Sequence, residues 1–214
     1  MYPPFISFYT GNDYYKEKSE TLGNKCKNLG IPFFCEKIED LGSYWKNTLQ
    51  KPSFILRKIK EFKSDIVWID IDTNIIVYDD SMKKWESDIL FSSHTGTLEG
   101  IKASPLCFKY TDRTIKFLEV WADISDKKIR NSEIDFDHDV MKFEVIPMFS
   151  NRIGISLMKG NNEYKDYSDG KIIVNGNSRV RGKGEQTTIV MNRNKSRNFP
   201  FSSMSLNDFK IHHG

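Results

Sequence analysis

Ser64 to Asp80 reads SDIVWIDIDTNIIVYDD. Five of the six residues from Ile66 to Ile71 are apolar, and the chain then carries two carboxylates one residue apart, Asp70 and Asp72. A short apolar run rich in β-branched residues and bounded by polar ones is the pattern of a buried strand. The elements before it set its context. Phe5 to Thr10 (FISFYT) reads as a first strand, followed by a turn at Gly11-Asn12-Asp13. Tyr14 to Leu29 has helical length, with Tyr15, Leu22, Cys26 and Leu29 at helical spacing and Gly30 as its stop. Ile31 to Ile38 reads as a second strand. A polar loop through Gly42-Ser43-Tyr44-Trp45 then leads to Pro52, which opens an amphipathic helix carrying Phe54, Ile55, Ile59 and Phe62. The order β-α-β-α-β predicts an α/β fold with a doubly wound, mostly parallel central sheet flanked by helices.

That order places the two aspartates. In an open parallel sheet, ligands bind outside the carboxyl ends of the strands. Residues two apart on a strand point the same way, so both carboxylates are expected to converge on one hard cation such as Mn²⁺ or Mg²⁺. A cation held there neutralises phosphate oxygens and makes a nucleoside diphosphate a better leaving group.

The rest of the chain is read more coarsely. Ile89 to Phe91 and Leu106 to Tyr110 read as strands, Thr114 to Ile124 as a helix, and Asp139 to Val145 as a short helix. Ile153 to Met158 and Ile172 to Val174 are strand candidates around a polar loop from Gly160 to Gly170. There is no internal repeat or low-complexity tract, and 214 residues fit one core, so a single domain over 1–214 is expected. The doubly wound part would be 1–80, beside a smaller mixed region. The sequence is 38% hydrophobic and 29% charged, which is not a disordered composition. It has no run of about 18 apolar residues, so no membrane span is expected. Met1 to Phe5 lacks the regions of a signal peptide, and three cysteines without a CxxC pair suit reduced thiols, so a cytoplasmic setting is expected.

Charge is uneven. The net charge is +3, yet Lys171 to Arg197 holds seven cations against Glu185 alone. Such a segment either steers an anionic ligand or is a solvated face. No nucleic-acid motif frames it, so no nucleic-acid partner is expected.

The stretch GIPFFCEKIEDLGSYWKNTLQKPSFILRKIKEFKSDIVWIDIDTNIIVYDD resembles the donor half of GT-A-fold, nucleotide-sugar-dependent glycosyltransferases, including small enzymes of bacteria and large DNA viruses. The likeness is clearest over Phe5 to Asp80, and it implies a nucleotide-sugar donor half over 1–80 and, over 81–214, an acceptor half, the acceptor-side region, with a C-terminal metal-ligand strand. Downstream, PLCFKYTDRTIKFLEVWAD is similar to the family's strand, turn and helix, and FDHD (136–139) lies where such enzymes often carry an Asp-Gln pair. Here His138 replaces the glutamine. KIHHG (210–214) resembles the family's C-terminal histidine motif, which implies His212 as a third metal ligand, with His213 as the alternative.

The resemblance implies metal-dependent transfer from a nucleoside-diphosphate sugar, UDP-sugar first, to a glycan or glycoprotein hydroxyl, and it leans toward retention of configuration. Metal would sit at Asp70, Asp72 and His212. Tyr9 and Thr10 would hold the nucleoside, the tyrosine by stacking and the threonine by a hydrogen bond. Lys51 would meet phosphate or the donor sugar, and Arg179 and Arg181 either cover the diphosphate or form a surface loop. Asp137 or Asp139 would orient or deprotonate the acceptor, or stabilise the reacting sugar. Trp45 is either core or a sugar-stacking surface. Two rival classes remain. A sugar nucleotidyltransferase normally carries a glycine-rich phosphate loop, for which Tyr9-Thr10-Gly11-Asn12 is too poor in glycine. A carbohydrate-binding module would bind free glycan without a nucleotide.

Overall fold

The computed structural model describes residues 2–11, 13–75, 82–93, 95–158, 173–174, 183–196 and 204–210. The first half follows β1 (Phe5–Thr10), α1 (Asp13–Asn28), β2 (Phe33–Ile38), α2 (Tyr44–Leu49), α3 (Lys51–Phe62) and β3 (Ile66–Trp68). A short β4 (Asn74–Ile75) precedes β5 (Ile89–Ser93), β6 (Ile101–Phe108) and α4 (Asp112–Arg130). Then come α5 (Asp137–Val140), a π-helical turn (Met141–Val145), α6 (Ile146–Met148) and β7 (Ile155–Leu157). The last elements are β8 (Ile173–Val174), α7 (Lys183–Ser196) and a 3₁₀ turn (Leu206–Phe209).

Six strands form the central sheet in the order β2-β1-β3-β6-β5-β7. Strand β1 runs parallel to β2 and β3, and β5 parallel to β7; β6 alone is reversed, pairing antiparallel with both β3 and β5. The expected α/β fold with a mostly parallel central sheet is therefore present. β4 and β8 make a separate two-stranded ribbon.

Period-two alternation divides the core between the sheet's faces. Ile6, Phe8, Ile66 and Trp68 pack with α3, α4 and the Phe117–Trp121 pair, whereas Phe5, Val67, Ile69 and Cys107 pack with α1 through Leu22 and Cys26. On the first face Phe8, Phe54 and Trp68 form an aromatic trio with centroids 5.2 to 5.9 Å apart. Local signals explain the helix ends. Thr111 caps α4 by accepting from the Thr114 N–H at 3.2 Å. Pro52 sits in the first turn of α3, which ends at Lys63 in the left-handed conformation (φ 49°).

Several boundaries differ from the sequence expectation. β3 stops at Trp68 rather than Ile71, because the Asp70 carbonyl accepts the Thr73 N–H at 3.0 Å and turns the chain. β2 starts at Phe33 rather than Ile31, β6 spans Pro105 instead of starting after it, and α4 runs from Asp112 to Arg130 rather than 114–124. The polar loop before Pro52 contains α2. Part of the basic segment forms α7. The Gly160–Gly170 loop lies outside the described residues. Among the described residues no helix is long and apolar enough to cross a membrane.

Candidate functional site

A cavity of about 460 Å³ opens at the carboxyl ends of β1 and β3. Its size suits a small organic ligand. Its floor carries Asp70, Asp72, Asp137 and Asp139; the end of β1 contributes Phe8, Tyr9 and Thr10. One wall is α2 with the start of α3, and the facing wall is α7, through Thr187, Val190, Met191 and Asn194.

Lys51 joins the two ends of the floor. Its ammonium lies 3.1 Å from Asp70 Oδ1 and 2.7 Å from Asp137 Oδ2, and donates to the Ala103 carbonyl at 3.3 Å. It also sits 5.2 Å from the centre of the Trp68 ring. Lys51 is only 4% exposed. Burial alone would lower its pKa, but the charges of Asp137 and then Asp70 outweigh that and raise it. Asp70 also accepts from the Trp68 indole at 3.0 Å, and its backbone N–H donates to Ser104 Oγ at 2.9 Å.

Asp137 opens α5 and is 2% exposed. Its backbone carbonyl accepts the Trp121 indole N–H at 3.0 Å. The preceding residues are clamped from two sides. Fully buried Asp135 pairs with Arg193 of α7 at 2.5 Å and with Lys128 of α4 at 3.3 Å, and accepts the Phe136 N–H at 2.9 Å. Arg193 also donates to the Ile134 carbonyl at 2.6 Å. Helix α7 leans on α2 as well, since Gln186 Oε1 accepts the Trp45 N–H at 3.2 Å. His138 stacks parallel to Phe136 and reaches Asp139 at 3.4 Å.

The structure thus brings together Tyr9, Thr10, Lys51, Asp70, Asp72, Asp137 and Asp139. The sequence argument for Asp70 and Asp72 needs correction, however. They do not share a strand face, since β3 has ended, and the turn that follows brings them to the cavity instead. Trp45 is 6% exposed within the hydrophobic core, which decides for core packing. Arg179, Arg181, His212 and His213 lie outside the described residues. Among the described residues no group of three His, Cys, Asp or Glu side chains is arranged to hold a metal ion. The Asp70–Asp72 pair, two carboxylates in one turn facing one cavity, suits part of a hard-cation shell.

Sequence reasoning missed Tyr44, Asn47 and Thr48 by reading α2 as loop. It also missed α7, where only Val190 among residues 185–194 is buried, so the helix carries no apolar stripe to betray it. Composition left the basic segment either to steer an anionic ligand or to form a solvated face, and its Arg179 and Arg181 lie outside the described residues. Lys51 is the one lysine or arginine lining the cavity among the described residues.

The α/β fold with its six-stranded central sheet is similar to that of a solved glycosyltransferase. A crystal structure of a glycosyltransferase involved in the glycosylation of the major capsid of PBCV-1 superposes with a TM-score of 0.63 over 88% of this chain and 100% of that one, at 14% identity. The apo-form glycosyltransferase GlyE of Streptococcus pneumoniae TIGR4 gives 0.45 over 74% of this chain and 45% of that one, at 11% identity. No protein-family model and no curated protein sequence matches the chain.

Proposed function

We propose that the chain is a glycosyltransferase whose cavity takes a nucleoside-diphosphate sugar, UDP-sugar first, together with a divalent cation, and passes the sugar to a hydroxyl of a glycan or glycoprotein. One observation carries the cation requirement. Four carboxylates line the cavity and its one described lysine is already paired with two of them. A diphosphate entering such a site meets like charge, and a cation held by the floor carboxylates would offset the repulsion.

In this reading Asp70 and Asp72 hold Mn²⁺ or Mg²⁺, with His212 as the third protein ligand. The ion, when bound, supplies neutralisation of the departing diphosphate. Tyr9 and Thr10 face the nucleoside at the end of β1. Arg179 and Arg181, which lie outside the described residues, are the candidates to cover the diphosphate. Lys51 fixes the separation and orientation of Asp70 and Asp137, so the carboxylate beside the cation and the one beside the reacting sugar form a single rigid unit. Asp137, with Asp139 next to it, acts at the acceptor hydroxyl or at the developing positive charge of the sugar. Retention of configuration is the outcome toward which the family resemblance leans.

The test is turnover. The protein with Mn²⁺ should release nucleoside diphosphate from at least one member of a nucleotide-sugar panel, slowly to water and faster with a glycan acceptor, and chelation should stop it. Binding of free glycan with no nucleotide dependence and no diphosphate release would instead identify a carbohydrate-binding module.

A further inference from the structure

Helix α2 ends at Leu49 and α3 starts at Lys51, yet Tyr44, Asn47, Thr48 and Lys51 keep the i, i+3, i+4, i+7 spacing of one continuous helix face. All four line the cavity. Two of them are committed elsewhere. Lys51 is bound to Asp70, Asp137 and the Ala103 carbonyl. The Asn47 side chain accepts the Leu41 N–H at 2.9 Å and donates to Asp40 at 2.9 Å, so it ties down the β2–α2 connection.

Tyr44 and Thr48 present a different chemistry. The Thr48 hydroxyl donates its only proton to the Trp45 carbonyl at 2.9 Å, which leaves its lone pairs as acceptors. The Tyr44 ring packs edge-on against Phe136, 5.6 Å between centroids, and so abuts the segment that carries Asp137. Burial, reinforced by the charges of Asp70 and Asp137, pushes its phenol above the ordinary tyrosine range, so the wall carries an uncharged hydroxyl there. The wall therefore presents two uncharged hydroxyls, that of Thr48 as an acceptor because its proton is spent on the Trp45 carbonyl. That suits a sugar, whose hydroxyls donate and accept at once, better than a phosphate.

We propose that Tyr44 and Thr48 form the wall that reads the hydroxyls of the donor's sugar, and so decide which sugar is carried, without contributing to nucleotide binding. This inference rests on the donor reading of the cavity.

Calorimetric titration in Mn²⁺ tests it, with UDP, UDP-glucose, UDP-galactose and UDP-N-acetylglucosamine as probes. The proteins are wild type, Tyr44→Phe, Thr48→Val and Thr48→Ser, each checked for an intact thermal transition. Wild type should prefer one of the three sugars. Tyr44→Phe and Thr48→Val should each erode that preference about fivefold, the scale of one lost hydrogen bond. UDP itself should bind all four proteins equally, and Thr48→Ser should retain the wild-type preference. The Thr48 pair decides the matter alone if Tyr44→Phe fails to fold. No preference in wild type, an unchanged preference in Thr48→Val, or UDP weakened as much as the UDP-sugars would overturn the inference while leaving the donor site standing. Wild type binding none of the four probes would overturn the donor reading and this inference with it.

Discussion

Two aspartates are buried to nearly the same degree and lead opposite lives. Asp88, just before β5, is 3% exposed and surrounded by donors. Arg113 reaches it at 2.8 and 3.0 Å, the Gly154 N–H at 2.8 Å and the Thr111 hydroxyl at 2.9 Å, so both oxygens are occupied. Asp137 is 2% exposed, and among the described residues its Oδ2 has only the Lys51 ammonium, 2.7 Å away and itself shared with Asp70. A carboxylate saturated by its own chain joins structure: Asp88 ties the starts of β5 and α4 to the turn before β7. A buried carboxylate with one shared partner, at the edge of a cavity, keeps acceptor capacity for a ligand. The difference sets charge that holds the fold apart from charge left facing the cavity.

Replacing each aspartate should break that contrast in opposite directions. Asp137→Asn should lower turnover about 100-fold or more, the range for losing a positioned acid–base or charge-stabilising group, with little change in donor KM. The fold should survive, since Lys51 keeps Asp70 and the Ala103 carbonyl. A wild-type turnover rate in both Asp137→Asn and Asp139→Asn would remove the catalytic half of the proposal.

Asp88→Ala should do the reverse, costing about 3 kcal/mol of stability because it strands the buried Gly154 N–H and the Thr111 hydroxyl. Denaturant unfolding measures that loss, and catalysis by the remaining folded protein should be normal.

A smaller effect concerns acid. Burial pushes the Asp88 pKa up, but the hydrogen bonds from Arg113, Gly154 and Thr111 outweigh it and hold the carboxyl below its ordinary value. Its stabilisation is therefore full above pH of about 4 and is lost as pH falls through the native pKa. The stability gap between wild type and Asp88→Asn should stay level from pH 7 to 5 and narrow below pH of about 4.

The smallest effect has the opposite sign. At Asp126 burial raises the pKa and the Ser53 hydroxyl only partly offsets it. Its ionised form is disfavoured by folding, so Asp126→Asn should stabilise slightly at pH 7 and not at pH 3. Equal effects at both pH values would show that its charge is not what matters.

Legibility in the sequence followed local pattern. The strand Phe5–Thr10 was recovered in full and helices α1 and α3 to within a residue or so, because apolar periodicity and Gly30 and Pro52 mark them. The convergence of Asp70 and Asp72 on one place was legible, but for a partly wrong reason, since a backbone turn after Trp68 brings them to the cavity. Helix α2 was hidden because its first residues, after Gly42-Ser43, read as loop and only the cavity reveals its stripe. The Asp88–Arg113 and Asp135–Arg193 pairs join residues 25 and 58 apart, so no local pattern announces them. The reach of Lys51 to Asp137 is of the same kind: a side chain expected to meet the ligand is held by two of the site's own carboxylates.

The central claim is that this acidic cavity accepts a nucleoside diphosphate only in company with a divalent cation. Thermal unfolding with UDP, with Mn²⁺, with both, and with UDP plus chelator tests it directly. At about 100 times Kd a ligand specific to the native state adds about 2.7 kcal/mol, which for a chain of this size is roughly 5–10 °C in Tm. The prediction is that rise for UDP and Mn²⁺ together, little for either alone, and none for the pair in Asp70→Asn or Asp72→Asn. An equal rise with UDP in the presence of chelator, or a full rise in both variants, would contradict it.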